Sequence, residues 1–72
     1  MQNQNKYKNI KQVERELRKK FKNHHYVHIS FDYGDIEITN FAIFDNVVLL
    51  YYLGSQIGFI HYENIMNIYT TN

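Results

Sequence analysis

At Asn23 the hydrophobic period of this chain changes from three or four residues to two, and that change constrains the fold more than any other feature. Upstream, Ile10, Val13, Leu17 and Phe21 recur at three- and four-residue steps, which gathers apolar side chains on one helix face. Asn9 followed by Gln12 supplies an N-cap and a capping-box partner, so a helix is predicted over about 9–22. Downstream, Val27, Ile29 and Phe31 alternate with His28, Ser30 and Asp32, the pattern of a half-buried strand. Tyr33-Gly34-Asp35 turns the chain, and Ile36 and Ile38 keep the alternation. Phe41 and Ile43 fall on the opposite parity, so a bulge or sharp bend is expected near Thr39-Asn40. Asp45-Asn46 turns into Val47–Leu53, apolar on both faces. Gly54-Ser55 leads to a strand over about 56–61, and Tyr62-Glu63-Asn64 is read as one 3₁₀ turn before a last strand over about 65–70. One helix and five short strands, the second bent, predict a mainly β domain. The expected form is a small closed or nearly closed barrel over about 26–70, capped by the helix. Residues 1–8 lack apolar periodicity and read as a flexible tail.

Seventy-two residues make a single domain near the lower limit for a self-sufficient core. There is no cysteine, which removes disulfides, thiolate zinc sites and thiol catalysis. Twelve aromatics offset part of the deficit, and oligomerisation is the other usual remedy. No charged segment precedes an apolar leader and no apolar run approaches a membrane span, so a soluble, cytoplasmic protein without a membrane partner is expected. Abundant Asn, Ile, Lys and Tyr without Pro or Trp resemble coding by an AT-rich genome, which suggests a low-GC bacterium or its phage.

Charge is segregated. The first 22 residues hold all eight basic side chains and two acidic ones, net +6, whereas residues 23–72 hold five acidic and no Lys or Arg, net −5. Lys8, Lys11, Arg15, Arg18, Lys19 and Lys22 fall on one arc of the predicted helix beside its apolar face. Glu14 can pair with Arg18, while Arg15, Lys19 and Lys22 have no acidic partner on their face. An anionic partner would meet this segment and be repelled by the rest. A solvated surface is the plain alternative, and docking of the basic helix on an acidic sheet, its own or a neighbour's, is a third use.

Val27-His28-Ile29, then Gly34 with nine residues to Phe44-Asp45, the apolar run Val47–Leu50, Ser55-Gln56 and the ending Ile65-Met66-Asn67-Ile68 together resemble the Sm-like (SH3-like) fold of the bacterial RNA chaperone family Hfq. The resemblance spans about residues 10–70. It implies a homo-oligomeric, six-membered ring in which the fourth strand of one subunit pairs with the fifth of the next, hiding edges. It further implies binding of single-stranded RNA, with Arg18, Lys19, Lys20 and Lys22 as the counterpart of the family's basic rim, extended by Lys11 and Arg15. At the pore the family's Gln-aromatic pair is replaced by Asn46-Val47. Its Tyr-Lys-His signature is replaced by Ile60-His61-Tyr62-Glu63, leaving Asn46 and His61 as weaker RNA contacts. The opposite face would carry Asp32, Asp35 and Glu37. These departures make the basic helix the main candidate.

The other constellations are less informative. His24, His25 and His28, with Asp32, have metal-ligating types, but adjacent strand residues point to opposite faces, and a polar linker is the default reading. The cluster would gain positive charge below about pH 6.5. Asp45, Ser55 and His61 are triad residue types without a nucleophile elbow, and Gly34, Gly54 and Gly58 form no phosphate-cradling loop, so no catalysis and no cofactor are expected. The expectation is therefore a non-catalytic RNA-binding ring. The alternative from another class is a protein-binding or small-ligand-sequestering module, such as a phage-encoded inhibitor, on the same scaffold.

Overall fold

The helix begins where the capping signal lies. In a computed structural model, which describes residues 6–71, α1 spans Ile10–Asn23, and the Asn9 side chain accepts the Gln12 amide at 3.0 Å. The reciprocal half of the box is displaced by one residue, for Gln12 Oε1 accepts the Lys8 amide at 2.6 Å rather than that of Asn9. Val13 and Leu17 are fully buried, with Ile10 and Phe21 packed at the edge of the same core.

Among the described residues six antiparallel strands follow: β1 (Val27–Phe31), β2 (Gly34–Ile38), β3 (Asn40–Phe44), β4 (Val47–Tyr52), β5 (Ser55–His61) and β6 (Asn67–Tyr69). They form two three-stranded sheets, ordered β2-β1-β6 and β3-β4-β5. The predicted bend lies at Thr39, between β2 and β3, where the chain passes from one sheet to the other. Thr39 is tied to β4 there, its amide donating to the Tyr51 carbonyl at 2.8 Å and its hydroxyl accepting the Leu53 amide at 2.7 Å. A bulge occurs elsewhere: Leu50 pairs with Gly58 and Tyr51 with Gln56, which leaves Ile57 as the extra residue on β5. Leu53 and Gly54 both take positive φ (50° and 91°), as a two-residue hairpin turn requires. The 3₁₀ turn over Tyr62–Asn64 falls where it was expected.

The closed barrel is corrected. Among the described residues the sheets do not close, because β5 pairs only with β4 and the three-residue β6 pairs only with β1. The core lies between the sheets and under the helix, formed by Val27, Ile29, Ile38, Val48, Leu50, Ile65 and Ile68 with Val13 and Leu17.

Residues 1–5 of the expected tail lie outside the described residues, and residues 6–8 lie against the domain. Tyr7 belongs to the core at 6% exposure, and its flanks are fastened by Lys6 Nζ to Asn67 Oδ1 (3.0 Å) and the Tyr62 hydroxyl to the Lys8 carbonyl (3.4 Å). The Tyr7 hydroxyl has no hydrogen-bond partner among the described residues. Burial, with Glu16 nearby, pushes its pKa up to about 12. A phenol whose folded pKa exceeds its unfolded value of 10 stabilises the fold below pH 10, and that contribution is lost as pH rises toward 12. Tyr7→Phe is expected to hold wild-type stability to within about 1 kcal/mol at pH 7 and to fall less steeply in denaturant midpoint above pH 10. Parallel slopes for the two proteins would show that Tyr7 titrates normally.

Candidate nucleic-acid interface

Four of the predicted contacts form a continuous exposed stripe. At about 100° per residue, Lys11, Arg15, Lys19 and Lys22 lie within roughly 80° of one another around α1. All four are exposed, and among the described residues none makes an ion pair. Glu14 and Glu16 flank the stripe on its two sides, each committed to another cation.

Arg18 and Lys20 are those cations. Arg18 donates Nε and Nη2 to Glu14 Oε2 at 3.2 and 2.8 Å, and its guanidinium sits 5.5 Å from the Phe41 ring, which also stacks on Phe21 at 5.9 Å. Arg18 thus helps seat the helix on β3 while its side chain remains 68% exposed. Lys20 lies about 100° around the helix from Lys19. It is 30% exposed and bonds Glu16 at 3.1 Å. The run Arg18-Lys19-Lys20-Lys22 is therefore not one surface, and Lys20 stands apart from the other three.

Asn46 and His61 do come together. The register pairs Val47 with His61, and the Asn46 carbonyl accepts the Tyr62 amide at 3.0 Å. His61 stacks on Tyr62 at 5.3 Å, and its Nδ1 accepts the Glu63 amide at 3.3 Å. Tyr62 reaches Lys8, so this corner lies against the start of the helix. Cross-strand pairing also places Phe44 on the same sheet face as Val47 and His61. Phe44 is 66% exposed, an aromatic absent from the sequence-based candidates. Its signal was parity: Phe41 and Ile43 face the core, so Phe44 must face out.

The outer face of the β2-β1-β6 sheet is acidic. His28 lies opposite Glu37 and Tyr69, and Ser30 lies opposite Asp35. His28 stacks on Tyr69 at 5.1 Å, and the Tyr69 hydroxyl donates to Asp35, which raises the Tyr69 pKa above its ordinary value. No group of three or more His, Asp or Glu placed to hold a metal ion occurs among the described residues, and His24 is engaged with the Lys20 carbonyl at 3.2 Å. Ser55 and His61 stand at opposite ends of β5, about 20 Å apart at strand rise, so Asp45, Ser55 and His61 do not form a triad. No helix among the described residues is long and apolar enough to cross a membrane. Compared with family models, curated proteins and solved structures, the chain matches none.

Proposed function

We propose that the protein is a non-catalytic RNA-binding module of Sm-like type that works as a homo-oligomeric ring, with phosphates held by the α1 stripe. The observation that carries the reading is the set of four exposed cations, Lys11, Arg15, Lys19 and Lys22, left without acidic partners among the described residues on a chain whose remaining length is net acidic. Such a stripe binds phosphates regardless of base sequence and releases counterions on doing so. Arg18 supplements it from the side, and Asn46, His61 and Phe44 form a second, smaller contact near the helix start.

Architecture supports the Sm-like reading. Counting β2 and β3 as one strand bent at Thr39 gives five strands after a helix, in the order the resemblance implies. The strands that would pair between copies, β5 and β6, each have an edge without a partner strand among the described residues. Ile57 and Phe59 on β5 and Met66 beside β6 are 46%, 70% and 52% exposed, apolar surface that a neighbouring copy would cover. A ring repeats the stripe on each subunit and multiplies weak phosphate contacts by effective concentration.

Sedimentation velocity tests the assembly. Wild type is expected at a multiple of 8.8 kDa, and Phe59→Lys/Met66→Lys at the single-chain mass with unchanged far-UV circular dichroism. A wild-type monomer would remove the ring.

A second reading rests on a different observation. Phe31, Tyr33, Ile36, Leu50, Ile57 and Phe59 line a mostly apolar cleft of about 470 Å³ at the open side between the sheets. That size suits a small ligand or a partner's side chains. It favours a protein-binding or ligand-sequestering module if the assembly carries no RNA.

A further inference from the structure

Lys6, Arg15 and Lys19 meet at a groove of about 240 Å³ between the segment leading into α1 and the helix itself, completed by Tyr7, Gln12 and Glu16. This groove differs from the convex stripe in two ways. One of its cations comes from outside the helix, Lys6 being placed by its bond to Asn67 and lying 5.8 Å from the Tyr7 ring centroid. It is also a shallow depression rather than a convex face, so more than one of its donors can reach a single bound group.

The donors present match a phosphate group. Gln12 Oε1 already accepts the Lys8 amide, which leaves the Gln12 NH₂ donors for a ligand. Glu16, the one acid on the lining among the described residues, is paired with Lys20.

We propose that this groove takes a terminal phosphomonoester of an RNA strand, so that the protein distinguishes phosphorylated from hydroxyl ends. The proposal rests on the RNA-binding reading above. A phosphodiester carries one negative charge and is matched by a single cation of the stripe. A monoester carries about −1.5 to −2 near pH 7 and offers three strong acceptor oxygens. Three cations lining one groove, with a neutral amide donor, fit the more highly charged group. Arg15 and Lys19 belong to groove and stripe alike, so a strand anchored by its end continues directly onto the helix.

Fluorescence-anisotropy titrations at one salt concentration test this with a single oligoribonucleotide bearing a 5′-phosphate, a 3′-phosphate or hydroxyls at both ends. One phosphorylated form is expected to bind about tenfold tighter than the hydroxyl form, a gain typical of added charge-assisted contacts. Lys6→Ala is expected to abolish that preference while leaving the affinity for hydroxyl-ended RNA unchanged. AMP in excess should likewise remove the preference, while lowering hydroxyl-ended binding only in part, because Lys11 and Lys22 of the stripe lie outside the groove. Equal affinities for the three oligonucleotides overturn the groove and leave the stripe standing. A preference that survives Lys6→Ala overturns the location. AMP or inorganic phosphate bound more tightly than any oligonucleotide assigns the groove to free phosphomonoesters and overturns RNA-end recognition. No binding of any RNA overturns stripe and groove together.

Discussion

Replacing Lys11, Arg15, Lys19 and Lys22 together by Ala is expected to lower RNA affinity by about 100-fold or more at low salt and to flatten its salt dependence. Each phosphate neutralised on a single strand contributes about 0.7 to the slope of log K against log salt, so deleting four cations takes roughly 3 off that slope. The fold should survive, because all four side chains are exposed and make no ion pair among the described residues. The informative control is Arg18→Ala/Lys20→Ala, which removes two charges from the same helix. Those two side chains are already matched by Glu14 and Glu16, so the salt slope should change far less. The control should instead cost a few tenths of a kcal/mol per pair in stability, as exposed i,i+4 pairs do. Equal falls in affinity for the two variants would mean that overall charge, rather than the stripe, binds RNA.

Leu17→Ala is expected to destabilise the protein by about 2–5 kcal/mol, the range for truncating a buried leucine. Leu17 is fully buried at the centre of the face that seats α1 on the sheets. A domain of this size holds roughly 4–11 kcal/mol in all, so the variant should be substantially unfolded or bereft of its docked helix near physiological temperature. Urea denaturation followed by circular dichroism checks this. A midpoint within error of wild type would show that the helix is not anchored through Leu17. Because the stripe is carried on the same helix, RNA binding should fall with folding in this variant. In the four-residue variant it should fall without unfolding. That contrast separates scaffold from contact.

The helix and the bend were legible in local pattern. The N-cap at Asn9 and the four-residue apolar steps placed α1, and the parity change between Ile38 and Phe41 placed the break at Thr39. Closure of the barrel was not legible, since it depends on which edges pair across the whole domain, and no residue type encodes that. Tyr7 was hidden for a similar reason: it is an isolated aromatic in a polar stretch, held in place by residues about sixty positions away. For the interface, helix arithmetic groups Lys8, Lys11, Arg15, Arg18, Lys19 and Lys22; Lys8 precedes the N-cap and Arg18 is paired with Glu14, which leaves Lys11, Arg15, Lys19 and Lys22 as the exposed stripe. Lys20 enters only through the resemblance, whereas Glu16 four residues earlier is a readable signal that it is paired. Phe44 was readable by the same parity argument that placed Phe41 inside.

The most direct measurement is a native mass spectrum of the untagged protein as isolated from cells, recorded before and after nuclease treatment. A multiple of the 8.8 kDa chain carrying additional mass that nuclease removes is the expected result. A bare single chain, unchanged by nuclease, contradicts both the ring and the RNA.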